Sequence, residues 1–533
     1  MSSQPEEDYE IGQDNITMFG FDMHNPVFII SGLSIIAFIL ITLMFQQGAA
    51  DFFAWLRPAI TSNFSWLFLS AGNFFVLFAL IICVSPLGKV RLGGQTAKPD
   101  YTYVGWFSML FAAGMGIGLM FFGVSEPMSH FGSSMGGIAT GDNGVRTDWA
   151  PLGAAAGDIG AAKDLAMAAT IYHWGLHPWS MYAVVGLALA FFSFNHNLPL
   201  TLRSAFYPLL KERVWGWPGH LIDIIAVFAT LFGLATSLGF GTQQALAGFS
   251  YLYGWGTGNV AMVILIAFIT SLAIISVVRG LDGGVKVLSE INMGLALLLL
   301  LVILFLGPTA EILSTVMSGA GAYVTEFIPL SMPFGREDVN FSQGWTSFYW
   351  AWWISWSPFV GMFIARVSRG RTVREFLACV ILVPTVLCIV WMATFGGTAI
   401  TQVLVDAAAP VASAAQEIKL FHMLANFPLS GVLSLIGIIL VLVFFVTSSD
   451  SGSLVIDTIT AGGKTDAPVS QRVFWCVFEG LVAAVLLLVG GAEALSALQA
   501  MAVSTGLPFT LVLLVMCVSL WIGLSKASKE LSN

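Results

Sequence analysis

The stretch Gly344–Phe376 reads GWTSFYWAWWISWSPFVGMFIARVSRGRTVREF and guides the interpretation of the whole chain. Its first half carries five tryptophans, namely Trp345, Trp350, Trp352, Trp353 and Trp356. Pro358 predicts a break in the helix after Ser357, because proline has no N–H to continue the hydrogen-bond ladder. The stretch ends in four arginines, namely Arg366, Arg369, Arg371 and Arg374. An apolar helix with rings at its centre and cations at one end indicates an aromatic site inside a membrane.

An interfacial belt is the alternative interpretation of these tryptophans. Tryptophan often anchors helix ends at the level of the lipid headgroups. A belt explains Trp345 well and Trp350 in part, because both lie near the start of the segment. It explains Trp353 and Trp356 poorly, because these two lie in the middle of the segment.

The composition indicates a membrane protein. Of the 533 residues, 57% are hydrophobic and only 10% are charged, and the mean hydropathy is +0.86. A soluble globular protein does not need so much apolar surface. The five cysteines show no metal-like spacing, and the acidic N-terminus lacks the basic region of a cleaved signal peptide. We therefore expect one polytopic membrane domain, without a cofactor.

Twelve transmembrane helices are predicted, because apolar runs of about 20 residues recur along the chain. They fall at roughly 27–47, 64–85, 102–130, 165–194, 221–250, 259–279, 287–307, 344–367, 376–396, 428–450, 473–490 and 501–524. Residues 1–26 and 526–533 are expected to be short cytoplasmic tails around a single domain, 27–525. With the N-terminus inside, 16 of the 21 Lys and Arg residues lie in cytoplasmic loops. This asymmetry supports twelve spans with both termini in the cytoplasm.

Two spans are predicted to be interrupted, the third and the eighth. The third carries Gly114, Gly116 and Gly118 in alternation, and each glycine weakens a helix by roughly 1 kcal/mol relative to alanine. The two interruptions lie five spans apart, which fits an all-α fold of two inverted five-helix repeats, helices 3–7 and 8–12, after two peripheral helices. The alternative is that the glycines only allow close helix packing.

Aromatic residues of the fourth span join those of the eighth. Trp179 and Tyr182 are three residues apart and share a helix face, with Trp174 on a nearby face. Together with Trp353 and Trp356 they could form a cage for a quaternary ammonium group. Core packing, or a belt position for Trp174 and Trp179, is the alternative.

The residues next to the cage aromatics in the sequence indicate the charge of the ligand. We expect no charged residue beside these aromatics, which favours a ligand that carries its own carboxylate. Backbone N–H groups at the glycines of the third span could hold that carboxylate.

Three hydroxyls near the end of the tenth span, Thr447, Ser448 and Ser449, are candidate ligands for a hard cation such as sodium. Their alternative role is to bond back to carbonyls of their own helix. Glu126, at the end of the third span, is the most notable charge inside a span. A structural role beside Pro127 is equally compatible with its position.

These motifs resemble the betaine/choline/carnitine transporter family. The resemblance rests on YWAWWISWSPFVGMFIARVSRGRTVREF in the eighth span, AAGMGIGLMF in the third, and the spacing of His173, Trp174, Trp179 and Tyr182 in the fourth. It implies the inverted-repeat architecture and an aromatic box of Trp174, Trp179, Tyr182 and Trp353. Trp352 and Trp356 would line the inward path. Met115 and the Gly114–Gly118 backbone would contact the carboxylate end of the substrate.

The resemblance also implies a sodium site. Its ligands would be the carbonyls of Ala112, Met115 and Phe444 and the hydroxyls of Thr447 and Ser448. A second sodium site would involve Thr230 and Phe359, but Leu234 stands where the sodium-coupled members carry a second threonine. The fifth span has no Lys or Arg, which favours sodium symport over cation-independent exchange. Osmosensing members carry long charged tails, so we expect weak or absent osmotic gating.

The expected function is sodium-coupled symport of a methylated-onium zwitterion, such as glycine betaine or dimethylsulfoniopropionate, by alternating access. Such uptake of an osmoprotectant would need the substrate, sodium and membrane lipid as partners, and no nucleic acid. A homotrimer in the cell inner membrane is expected from the resemblance. The alternatives are a proton-coupled choline or carnitine transporter of the same family and, from another class, a channel. We do not expect an enzyme, because the seven histidines are scattered and form no HExxH motif.

Overall fold

The structure is a computed structural model that describes residues 9–114, 116–136, 150–153, 155, 157–279, 286–491 and 494–532. A short hairpin of β1 (Asn15–Met18) and β2 (Phe21–His24) precedes the helices. The α-helices are α1 (Asn25–Met44), α2 (Gln46–Val84), α3 (Tyr103–Gly114), α4 (Ile117–Met135), α5 (Ile159–Trp174), α6 (Leu176–His196), α7 (Tyr207–Leu210), α8 (Trp217–Tyr253), α9 (Asn259–Arg279), α10 (Lys286–Leu306), α11 (Thr309–Ser331), α12 (Val339–Phe341), α13 (Ser347–Val367), α14 (Val373–Val405), α15 (Pro410–Ser413), α16 (Lys419–Leu424), α17 (Ser430–Thr460), α18 (Val469–Gly490) and α19 (Ala494–Ser532).

The described part of the chain is an all-α, multi-pass assembly. Ten helical segments within it are long and apolar enough to cross a membrane, with α5 and α6 together forming one of them. The other two predicted spans coincide with the α3–α4 pair and with α13. The all-helical membrane class is therefore confirmed, whereas the count of twelve spans and the inverted repeat stay predictions.

The third span is interrupted where the glycines predicted it. Helix α3 ends at Gly114, and α4 begins at Ile117 after an extended Gly116. Gly118 is needed for packing as well, because a Cβ atom there would lie 2.8 Å from the Trp174 ring. The glycines thus leave backbone groups free and bring the start of α4 against an aromatic side chain.

The predicted break at Ser357-Pro358 is wrong, because α13 continues through Pro358. Proline leaves the carbonyl of Ile354 without its usual N–H partner. The hydroxyl of Ser357 donates to that carbonyl at 2.7 Å and replaces the missing bond. The two predicted interruptions therefore do not face each other, since the third span is broken and the eighth is not.

The fourth span has a break that the sequence analysis did not predict. Gly175 separates α5 from α6 with φ −96° and ψ −127°. The N–H of Leu176, which begins the new helix, donates to the hydroxyl of Tyr323 at 3.2 Å. The break places Trp174 at the end of α5 and Trp179 in the first turn of α6.

The β1–β2 hairpin packs against the residues that follow α17, on the side of the protein predicted to be cytoplasmic. Asp22 of β2 accepts from Lys464 at 2.6 Å, and the amide of Asn15 donates to the carbonyl of Ala461 at 2.9 Å. The segment predicted as a short tail therefore contains a docked hairpin.

Helices α6 and α13 carry four of the five predicted cage residues, namely Trp179, Tyr182, Trp353 and Trp356, and pack closely against each other. Gly186 of α6 and Gly361 of α13 lie at their crossing. A Cβ atom on Gly361 would lie 3.0 Å from the backbone nitrogen of Gly186 and 2.7 Å from Cγ1 of Val185. The two backbones can approach this closely only because both positions lack a side chain.

We expect Gly361→Ala to lower the stability of the protein. The added methyl group would force α6 and α13 apart, and such overpacking costs about 1–3 kcal/mol. Thermal unfolding of the purified protein in detergent measures this effect. Gly294→Ala in α10 is the matched control, because a Cβ atom there meets nothing within 4 Å. Equal unfolding temperatures for the two variants would contradict the close contact.

Candidate ligand-binding site

A cavity of about 190 Å³ lies among α3, α4, α6, α10, α13 and α17. A cavity of this size can hold several water molecules, which suits a small ligand. The predicted site residues that line it are Ala112, Gly116, Trp174, Trp179, Tyr182, Trp353, Trp356, Phe359, Phe444, Thr447 and Ser448. The structure therefore brings most of the predicted aromatic and hydroxyl residues to one place.

The aromatic walls of the cavity meet edge to face. The rings of Trp174 and Trp353 are 4.9 Å apart at 72°, and those of Tyr182 and Trp353 are 6.2 Å apart at 76°. Trp179 packs against Tyr182 at 5.3 Å and 73°. Edge-to-face contact is a favoured arrangement of aromatic pairs, and it brings together the aromatic residues that a cation–π cage requires.

Hydrogen bonds fix the orientation of two of these rings. The indole N–H of Trp353 donates to the carbonyl of His173 at 2.9 Å. The indole N–H of Trp179 donates to the carbonyl of Trp174 at 3.2 Å. Both acceptors belong to the last turn of α5, where the interruption at Gly175 leaves carbonyl groups without a helical partner.

The expectation that no charged residue accompanies the aromatics is wrong. Glu126 is fully buried, and its carboxylate accepts the indole N–H of Trp174 at 2.7 Å. His173 and Tyr349 bond to the same carboxylate at 2.6 and 2.5 Å, and His130 at 3.3 Å. The sequence singled out Glu126 as a charge inside a span but gave no sign of these partners.

Glu126, His130 and His173 are also the group of described residues close enough together to hold a metal ion. Their ligand atoms are already hydrogen-bonded to one another at 2.6 and 3.3 Å. We therefore interpret the cluster as a hydrogen-bond network.

The two other predicted tryptophans differ in position. Trp356 lines the cavity, and its buried indole N–H has no partner in the described residues. Trp352 is fully buried behind the cavity wall, where its ring stacks on Trp353 at 4.5 Å and 16°. Its N–H donates to the carbonyl of Gly233 at 3.2 Å. Trp352 thus supports the wall, and its predicted place along the inward path stays a prediction.

The predicted sodium ligands of α3 and α17 face the same cavity. Ala112 comes from α3, and Phe444, Thr447 and Ser448 come from α17. The hydroxyls lie within α17 and not at its end, because this helix continues to Thr460. The Thr447 hydroxyl donates to the carbonyls of Val443 and Phe444 at 3.0 and 3.3 Å, which is the alternative role expected for it.

Two further residues were predicted to contact the substrate carboxylate or sodium, namely Met115 and Gly114. Met115 lies outside the described residues, so the structure says nothing about its place. Gly114 is the last residue of α3, directly before the interruption.

The predicted second sodium site stays a prediction. Phe359 lines the cavity, whereas Thr230 is fully buried in α8 and its hydroxyl donates to the carbonyl of Ala226 at 2.7 Å. Leu234 packs against Gly452, where a Cβ atom would lie 2.2 Å from its side chain. This position is therefore filled by apolar packing.

Helix α10 supplies lining residues that the sequence analysis missed, namely Ser289, Asn292 and Met293. Asn292 is buried, and neither atom of its amide has a partner in the described residues. A polar residue inside an apolar span was the available signal, since such residues usually serve a function.

The helical bundle and its central cavity define a multi-pass membrane protein with a small-molecule site. Residues 26–529 match the family described as BCCT, betaine/carnitine/choline family transporter, so the chain belongs to this family. It is accordingly a transporter and not an enzyme.

Three related proteins support the assignment. A glycine betaine/proline/choline transporter of Vibrio parahaemolyticus is 62% identical over 97% of this chain and 94% of its own length. Glycine betaine transporter 1 of the same organism is 54% identical over 97% of both chains. A glycine betaine transporter of Acinetobacter baylyi is 41% identical over 94% of this chain and 73% of its own length.

We expect Tyr323→Phe to weaken the protein at the α5–α6 break. The change leaves the part-buried N–H of Leu176 without its acceptor, and an unsatisfied group that is fully buried costs about 1–3 kcal/mol, so the loss should lie at or below this range. Thermal unfolding in detergent measures the loss, and Tyr251→Phe at an exposed position is the control. An unchanged unfolding temperature would show that the Tyr323 hydroxyl does not hold the break.

Proposed function

We propose that the protein is a secondary active transporter that couples sodium to the uptake of a methylated-onium zwitterion by alternating access. Glycine betaine is the first choice, and dimethylsulfoniopropionate follows. The observation that carries this proposal is the shared cavity of about 190 Å³, whose lining includes both the aromatic residues and the hydroxyl-bearing Thr447 and Ser448.

The aromatic side of the cavity suits the onium group. A desolvated cation over an aromatic face gains on the order of 2 kcal/mol or more. Such a cage selects diffuse positive charge and so accepts a sulfonium as well as an ammonium group. The relatives are named as transporters of glycine betaine, proline and choline, which supports a betaine-type substrate.

The interruption of the third span suits the carboxylate group of the substrate. Gly116 lines the cavity, and α4 begins at the next residue. The first N–H groups of a helix have no helical partner and attract anions. The free amide of Asn292 offers a further donor at the same cavity.

Sodium would connect α3 with α17. Carbonyl and hydroxyl oxygens suit a hard cation, and those of Ala112, Phe444, Thr447 and Ser448 belong to residues that line the cavity. Met115 completes the proposed set. We propose one sodium ion only, because Leu234 stands where the sodium-coupled members carry a second threonine. Low sodium in the cytoplasm would then release both ligands.

The proposal includes an orientation and an assembly. Both termini would lie in the cytoplasm, on the support of the 16-to-5 distribution of Lys and Arg. The protein would act in the cell inner membrane as a homotrimer, with twelve spans and two inverted repeats.

Uptake into proteoliposomes tests the proposal. Labelled glycine betaine, dimethylsulfoniopropionate, choline and carnitine are each supplied with and without an inward sodium gradient. We expect glycine betaine uptake that requires the gradient. In the wild type, uptake driven equally well by a proton gradient alone would contradict sodium coupling, and a large preference for choline would contradict the zwitterion.

We expect Trp353→Leu to reduce glycine betaine uptake to background, because it removes the ring that contacts both Trp174 and Tyr182. The same proteoliposome assay measures this loss, and size-exclusion chromatography shows whether the variant remains folded. Trp55→Leu, at an exposed position of α2, is the control. Transport near the wild-type level in a folded Trp353→Leu variant would show that the cage is assigned wrongly.

We expect Thr447→Val to raise the sodium concentration for half-maximal uptake about tenfold or more. A polar contact to a charged group contributes roughly 1.5–3 kcal/mol, and 1.4 kcal/mol corresponds to a factor of ten. Thr458→Val is the matched control, because Thr458 is buried in the same helix and also bonds back to a carbonyl. A similar sodium dependence for both variants would remove Thr447 from the site.

A further inference from the structure

The carboxylate of Glu126 is bonded on several sides. The indole of Trp174 can only donate, so Oε2 must accept its hydrogen at 2.7 Å. The hydroxyl of Tyr349 bonds to the same oxygen at 2.5 Å, and Nδ1 of His173 bonds to Oε1 at 2.6 Å. An ionised carboxylate accepts all of these hydrogens, because it has acceptor sites only.

No Lys or Arg in the part of the chain that the structure describes forms an ion pair with Glu126. A neutral His173 satisfies both of its contacts, since Nδ1 can donate to Glu126 and Nε2 can accept from Thr346 at 2.9 Å. The nearby Arg336 is already paired with Asp338. With His173 and His130, which also bonds to Glu126 at 3.3 Å, in their neutral forms, the cluster carries the net negative charge of Glu126 in the interior, where charges are costly unless they are compensated.

Trp174 lies between this negative charge and the cavity. One edge of its indole bonds to Glu126, and its ring is also part of the cavity lining. A positive group held against the Trp174 ring would be only one indole ring away from the carboxylate. The charge that compensates Glu126 can thus come from the ligand.

We propose that Glu126 is the counter-charge for the onium group and that it acts through Trp174 to select a cationic headgroup. This inference rests on the proposed function and extends it. The alternative is that Glu126 only holds Trp174 and Tyr349 in place. A structural role would affect ligands of the same shape equally, whereas a charge would distinguish a cationic ligand from an uncharged one.

A pair of ligands with the same shape separates these roles. Glycine betaine has a trimethylammonium group, and 3,3-dimethylbutanoate has a tert-butyl group in its place and the same carboxylate. Each is measured as an inhibitor of labelled glycine betaine uptake into proteoliposomes that contain the full chain. For Glu126→Gln we expect weaker glycine betaine binding and unchanged or tighter 3,3-dimethylbutanoate binding.

The ratio of the two inhibition constants should change by about tenfold or more. Two opposite unit charges separated by about one indole ring inside a protein attract strongly enough to change a binding constant by this factor. Glu311→Gln, at an exposed position, should leave both constants unchanged. If Glu126→Gln weakens both ligands equally, Glu126 has a positioning role only and the inference is overturned. Absent glycine betaine uptake by the wild type would instead overturn the proposed function.

A second variant keeps the test decisive if Glu126→Gln does not fold. Tyr349→Phe removes one hydrogen bond from the carboxylate but keeps the charge and the stacked ring. We expect it to weaken both ligands and to preserve the ratio of their inhibition constants. If the preference of Tyr349→Phe for glycine betaine over 3,3-dimethylbutanoate falls about tenfold, discrimination between the two ligands does not depend on the charge of Glu126.

Discussion

A charged group in a membrane interior must find partners within the protein, and the carboxylate of Glu126 finds them on three helices. His130 lies on its own helix α4, His173 and Trp174 on α5, and Tyr349 on α13. These bonds connect the interrupted third span to α5 and to α13. The orientation of Trp174, and of the Tyr349 ring that stacks on Trp353, therefore depends on how this one charge is satisfied.

The same constraint governs the backbone wherever a helix is interrupted. At Gly175, the hydroxyl of Tyr323 accepts the free N–H of Leu176. At Pro358, the hydroxyl of Ser357 donates to the carbonyl that the proline leaves free. At Gly116, the start of α4 faces the cavity instead. A ligand could satisfy the backbone there, whereas protein groups satisfy it at the other two positions.

These differences explain which features the sequence could predict. The cage residues were predictable because their spacing along two helices and the family motif are local patterns. The break at Gly175 depends on Tyr323, which is 147 residues away from Leu176, and no local pattern reveals such a partner. The continuity of α13 depends on the rotamer of Ser357. The hydroxyls of α17 were expected at a helix end because the polar run after Ser448 resembles a loop, but tertiary packing buries it and extends the helix to Thr460.

The crossing of α6 and α13 at Gly186 and Gly361 has a consequence for how the cavity can vary among related chains. Trp179 and Tyr182 project from one of these helices and Trp353 and Trp356 from the other. Because the helices meet backbone to backbone, the main chain fixes the distance between the rings that the two helices carry. Surrounding side chains can diverge and alter affinity while this width stays constant. Related chains would then differ less in the size of the headgroup that they accept than in the affinity with which they bind it.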